Sequence, residues 1–291
     1  MKKKLICTIS ILVLAAALCS GCSTAPFKTT DSFASYYAKN KEEVGSDLKG
    51  MASDLAVLSD SEATNPNYQS NDYADLLIND STNEVLESYH CFDRLYPASI
   101  TKVMTALLTL EHGNMDDEIT LKHDINLTEN GAVISTLTKG DTVTVGQVFH
   151  TMLIKSANDC AVILAEYVAG SESKFIDMMN AKAKELGATH THFVNPNGLH
   201  DNNHYTTAYD LYLIFKEAVK YDTFVDTVSS KDYTMTYTTP KKTQINEYMQ
   251  STNYYLLNEF PVPEGVVMYG GKTGTTSMAK SCLILMTKNK K

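Results

Sequence analysis

A serine and a lysine three residues apart can act as a nucleophile and its base. In "LYPASITKVMTALLTLEHG", residues 95–113, Ser99 and Lys102 stand at that spacing in front of an apolar run. At positions i and i+3 of a helix the two side chains share a face, and the helix N-terminus adds positive potential and unpaired backbone N–H groups. A serine hydroxyl is a weak nucleophile without a neighbouring base. A lysine serves only when neutral, so its ordinary pKa of ~10.4 must be lowered by burial or by a nearby cation. The same S-x-x-K spacing recurs at Ser46, Ser171 and Ser277, and a serine N-cap followed by a solvated lysine is the ordinary reading of any one match. Only Ser99 opens a run that is apolar on nearly every face, as a helix buried in the middle of a domain would be.

Two further groups could complete such a site. The S-x-N spacing occurs at Ser81, Ser156 and Ser251. Its informative copy is "LIKSANDCAVILAE", where Ser156 and Asn158 fall at the junction of two apolar helical runs and can point into a cleft. The K-T-G triplet occurs once, as Lys272-Thr273-Gly274 in "YGGKTGTT" near the C-terminus. S-x-x-K, S-x-N and K-T-G in this order are the combined signature of penicillin-binding proteins and class A β-lactamases.

The elements that must hold these residues can be read from periodicity. "YADLLIND" and "EVLESYH", separated by the turn "DSTNE", predict a first hairpin. Helices are expected through the run after Ser99 and over 145–154, 159–168, 173–186 and 207–220. "YTMTYTT", "GVVMYGGKTGT" and "SCLILMT" read as strands. Strands at both ends around a helical middle predict a mixed α/β fold with an antiparallel sheet built from both termini.

From about Tyr73 to the end the chain resembles the serine D-alanyl-D-alanine carboxypeptidases, the low-molecular-mass penicillin-binding proteins. "RLYPASITKVMTALL", "SANDCAVILAEYVAGS", "HFVNPNGLHDNNHYTTAYDL" and "GGKTGTT" all carry the likeness. The resemblance implies the penicillin-binding protein and serine β-lactamase fold, and a peptidoglycan stem peptide ending in D-Ala-D-Ala as substrate. It implies that Ser99 attacks the penultimate D-alanine carbonyl with Lys102 as base and Ser156 relaying the proton. Asn158 would hold the substrate amide, and Lys272 with Thr273 in the K-T-G triplet closed by Gly274 would attract the terminal carboxylate. The amides of Ser99 and Thr275 would form the oxyanion hole. β-Lactam antibiotics would acylate the same serine, and no cofactor or metal is expected. A β-lactamase shares fold and motifs, but the E-x-x-L-N segment of class A enzymes is absent; a catalytically silent wall-binding lipoprotein is the other alternative. The sequence departs from the family at Ala279-Lys280, where Ala-Gly is common. After "SCLILMT" the family continues into a further strand and a helix, so the domain, 72–291, is expected to be C-terminally truncated and weakened.

Composition bounds the rest. With 291 residues and 43% hydrophobic content the chain can bury a core of one or two domains. The net charge of −9 excludes a nucleic-acid partner. Residues 1–21 pair a basic start (Lys2, Lys3, Lys4) with an apolar stretch from Leu5 to Leu18, too short to span a membrane and read as a secretory signal. Ser20-Gly21-Cys22 is similar to the end of a bacterial lipobox, which would put a lipid on Cys22 and anchor the protein to the outer face of the cytoplasmic membrane. A plain cleaved signal would leave it secreted. Residues 22–71 are polar enough to be a tether. Cys91, Cys160 and Cys282 are an odd set without close spacing, so no disulfide framework follows. His190 and His192 lack a third ligand at a readable spacing, and bonding within a strand or loop is preferred to a metal site.

Overall fold

The computed structural model describes residues 54–59, 62, 64, 70, 72–127, 129 and 131–289. Helix α1, Lys102–His112, carries the apolar run and forms the hub. From Lys102 to Thr109 every residue is buried, because Val103, Met104, Leu107 and Leu108 cover its faces and no face is left for solvent. Each such aliphatic side chain contributes roughly 1.5–3 kcal/mol on full burial. Around the hub stand α2 (Val145–Ile154), α3 (Asn158–Ala169), α4 (Glu172–Glu185), α5 (Ala208–Ala218) and α6 (Asp222–Val228). One apolar cluster runs through them, from Met104 and Leu107 on α1 to Phe149, Leu164, Phe175, Ile214 and Phe224.

Helix starts are set locally. Thr144 caps α2 in a reciprocal box with Gln147, Ser171 accepts the Lys174 amide ahead of α4, and Thr207 accepts the Asp210 amide ahead of α5. Such hydroxyls satisfy amides that the first helical turn leaves unbonded.

The strands form three antiparallel groups. β1 (Asp75–Asn79) pairs with β2 (Glu84–Tyr89), and β7 (Val266–Thr276) pairs with β8 (Lys280–Asn289). β3 (Glu118–Thr120), β4 (Thr142–Thr144), β5 (Asp232–Thr238) and β6 (Gln244–Gln250) lie in that order in a third sheet. Among the described residues no strand pairing joins the two terminal hairpins. The terminal hairpin strands and β5 fall where alternation predicts strands, whereas β3, β4, β6 and α6 are too short or too polar to carry a periodic signal.

The compact unit begins at Asp54, ahead of the start at 72 expected from composition. Ala56, inside the stretch read as tether, is fully buried. Its N–H donates to the Tyr212 hydroxyl at 2.9 Å and its carbonyl accepts from the Tyr209 hydroxyl at 2.9 Å, both on α5. A polar composition does not prevent a short segment from docking when two tyrosines satisfy its backbone. Residues 1–21 and Cys22 lie outside the described residues. No helix among the described residues is long and apolar enough to cross a membrane.

Candidate active site

Ser99 was expected to open the buried helix. It sits instead in a short 3-10 turn, Ala98–Thr101, directly ahead of α1. Ala98 has φ +47°, a left-handed conformation uncommon for a residue with a side chain. The turn is packed tightly from one side. Gly198 has φ +86°, and a Cβ there would lie 1.9 Å from the Ala98 carbonyl oxygen.

The lysine one turn on has been driven into the core. Lys102 is fully buried, and its Nζ has three neighbours at hydrogen-bond distance: Ser99 Oγ at 2.8 Å, Asn158 Oδ1 at 2.8 Å and the Asn197 carbonyl at 2.6 Å. Burial holds its pKa well below the ordinary lysine value, and the positive charge of Lys272 pushes it further down. A neutral amine has two N–H bonds and one lone pair. The two carbonyl oxygens can only accept, so they claim the N–H bonds and leave the lone pair for the Ser99 hydroxyl. This arrangement can activate an alcohol oxygen.

Ser156 and Asn158 flank the junction of α2 and α3. Ser156 stands at φ +64°, which turns the chain and aims its hydroxyl at Lys272 Nζ, 2.9 Å away. Asn158 is buried; its Nδ2 donates to the Val133 carbonyl at 3.0 Å while its Oδ1 faces Lys102. The Val133–Thr136 loop is itself tied down. Asp159 accepts from the Ser135 amide and hydroxyl, and Glu247 accepts from the Thr136 amide and hydroxyl and from Lys155 at 2.5 Å.

β7 closes the site from the other side. Lys272 is 1% exposed, donates to Ser156 Oγ and to the Thr273 carbonyl at 2.7 Å, and burial brings its pKa down to about 7. Thr273 Oγ1 is hydrogen-bonded to Thr252 Oγ1. Gly274 lies flat against the Ser99 turn. Thr275 is exposed, with its hydroxyl donating to the Gly274 carbonyl at 2.8 Å.

The structure thus gathers Ser99, Lys102 and Asn158 into one hydrogen-bonded group and Ser156 with Lys272 into a second, close enough for the Lys272 charge to act on Lys102, with Thr273, Gly274 and Thr275 on the same strand as Lys272. Asn197, His204 and Glu247 complete the site and carried no assignment from sequence. The only signal for the first two was their place in "HFVNPNGLHDNNHYTTAYDL". The His192 ring is engaged elsewhere, its Nδ1 bonding the Asn203 carbonyl, and the backbone amide of His190 donates to Asp210. Among the described residues no group of three metal-binding side chains is present. Cys91 and Cys160 are buried free thiols, and Cys282 is a partly buried one.

Residues 60–291 match the family described as D-alanyl-D-alanine carboxypeptidase, Peptidase_S11. The chain belongs to the D-alanyl-D-alanine carboxypeptidase family. Among curated members of that family it is 35% identical over 217 residues to the D-alanyl-D-alanine carboxypeptidase DacF of Bacillus subtilis, a match covering 73% of this chain and 53% of that one. It is 32% identical to DacC of Escherichia coli, covering 70% of this chain and 50% of the relative. The chain therefore spans about half the length of these two relatives. The crystal structure of the Streptomyces K15 DD-transpeptidase superposes with a TM-score of 0.66 at 28% identity, over 74% of this chain and 84% of that one. The mixed α/β architecture is thus that of the penicillin-binding DD-peptidases.

Proposed function

We propose that this chain is a serine-type carboxypeptidase that removes the terminal D-alanine from peptidoglycan stem peptides ending in D-Ala-D-Ala. The observation that carries this reading is the contact of Ser99 Oγ with the amine of a wholly buried lysine, 2.8 Å apart.

The lone pair of neutral Lys102 takes the Ser99 proton as Oγ bonds to the penultimate carbonyl carbon. The carbonyl oxygen becomes an oxyanion, which the amides of Ser99 and Thr275 stabilise. The C–N bond to the terminal D-alanine then breaks, and the proton held by Lys102 reaches the departing amine through Ser156. Water attacks the resulting ester, releases the shortened peptide as a carboxylic acid and returns the proton to Ser99. Asn158 holds the substrate amide. Lys272, with Thr273 beside it, meets the terminal carboxylate; that negative charge favours the protonated form of a lysine whose pKa near 7 reflects burial.

A β-lactam presents its amide as the scissile bond does and stays on Ser99 as an ester. The buried Asn158–Lys102 contact and the K-T-G strand support this reading over a silent wall-binding protein, because an unused lysine would gain nothing from full burial. The basic start, the apolar stretch and Ser20-Gly21-Cys22 support export and a lipid on Cys22, holding the protein at the outer face of the cytoplasmic membrane. Cys22→Ser should then release it from the membrane fraction.

The test is release of D-alanine from a D-Ala-D-Ala peptide by the purified chain, with labelling by a fluorescent penicillin. One adduct should map to the Ser99 peptide and vanish in Ser99→Ala. Undiminished labelling of Ser99→Ala overturns the reading.

A further inference from the structure

We propose that His204 is a positioning residue that locks the Ser99 turn to the backbone carbonyl receiving Lys102. The inference rests on the reading of Ser99 and Lys102 given above.

His204 is buried and is bonded at both ring nitrogens. Its Nδ1 accepts the Val194 amide at 3.1 Å, and its Nε2 lies 2.8 Å from Thr101 Oγ1. The Thr101 hydroxyl has one hydrogen and donates it to the Ala98 carbonyl at 2.8 Å. The hydrogen between Thr101 and His204 must therefore sit on Nε2, which fixes a single neutral tautomer. A protonated ring would turn an N–H against the Val194 N–H. Burial acts in the same direction and lowers the His204 pKa to about 4, with Asp201, His192, His200 and Lys102 as its ionisable neighbours.

Each end of the ring reaches a different part of the site. Through Thr101 it holds the Ala98 carbonyl, the backbone group that must be kept in place for Ala98 to remain left-handed and for Ser99 to be displayed. Through Val194 it holds the start of the segment that ends against α1. There the Pro196 carbonyl accepts from Thr105 Oγ1, the Asn197 carbonyl accepts from Lys102, and Gly198 packs on Ala98. The nucleophile turn and the acceptor that orients the base lie about a hundred residues apart in the chain, the distance between Thr101 and His204 in sequence. One imidazole adds a side-chain tie to the direct contacts between them.

The test measures the second-order rate of Ser99 acylation by a fluorescent penicillin in the full chain, with Ser99→Ala as blank. A small misplacement of a reacting group costs on the order of 100-fold, so His204→Ala should acylate about 10–100-fold more slowly. His204→Gln keeps one amide donor and one acceptor and should recover to within about threefold of the wild-type rate. Thr101→Val, which keeps the shape and removes the hydroxyl, should match His204→Ala, and Thr101→Ser should recover. The acid limb of the rate profile should not move in His204→Gln, since a neutral positioning ring does not titrate in the working range.

His204→Ala or Thr101→Val reacting at the wild-type rate, His204→Gln no better than His204→Ala, or a shifted acid limb would each overturn the inference. If melting shows His204→Ala to be unfolded, the two Thr101 variants decide. Failure of wild-type labelling at Ser99 would instead defeat the underlying functional reading, so the two failures are distinct.

Discussion

Gly274 on β7 lies so close to Ser99 that a Cβ at position 274 would sit 2.9 Å from the Ser99 amide nitrogen and 3.1 Å from the Ala98 side chain. Backbone has met backbone there, across a gap no methyl group fits. Gly274→Ala should push the strand away from the nucleophile turn and reduce acylation by a fluorescent penicillin by at least ~100-fold. Its melting temperature should fall far less than its activity. Acylation of Gly274→Ala at the wild-type rate would show that the strand can shift without disturbing Ser99.

The two buried lysines separate by kinetics. Lys102→Met keeps length and removes the lone pair, so penicillin acylation should fall by ~100-fold or more, the scale of a general base. Lys272→Ala should chiefly weaken capture of substrate and β-lactam. It should also move the acid limb of the acylation profile to higher pH: the rate needs neutral Lys102, and removing the neighbouring positive charge raises the Lys102 pKa. A limb that stays put or moves to lower pH contradicts the coupling.

Lys272 also leaves a signature in stability. Unfolded, a lysine holds its proton up to ~10.4; folded, burial releases it at about 7. Between these values the unfolded chain carries the extra proton, so this group makes stability rise with pH, and its full cost is felt below about 7. Lys272→Met removes the titration. Chemical denaturation of the two proteins at a series of pH values should show Lys272→Met gaining most over wild type below pH 7, with the gain shrinking by pH ~9. A pH-independent difference would mean that Lys272 does not titrate in the folded chain as described.

Glu247 is the tie between the Val133–Thr136 loop and Lys155, the residue before Ser156. Its carboxylate is held below the ordinary glutamate value by hydrogen bonds from Lys155 and Thr136, which outweigh its burial. Glu247→Ala should destabilise the fold by ~1–3 kcal/mol, because the Thr136 and Lys155 donors lose a charged acceptor. Acylation should slow as the Ser156 junction loosens. Unchanged denaturation and acylation would show that Asn158 and Asp159 hold the loop without Glu247.

What the sequence determined by itself was the chemistry and its order along the chain. Ser99–Lys102, Ser156–Asn158 and Lys272–Gly274 could be read because side-chain type and local spacing carry them. The helix over Val145–Ile154 was legible to the residue because an apolar period runs between a capping threonine and a break. Strands of three residues, such as β3 and β4, have too few positions to show an alternation, and β6 shows a polar face that hides its pairing with β5.

Tertiary structure alone decided the rest. The left-handed Ala98 carries no glycine or asparagine to announce it, and it persists because Thr101, itself bonded to His204, donates to its carbonyl while Gly198 packs against it. The Asn197 carbonyl that receives Lys102 is a backbone group, which every residue owns and no motif can flag. Above all, the sequence could ask for a lysine with a lowered pKa but could not supply one: that shift comes from full burial and a second cation, contributed by segments as far along the chain as Lys272.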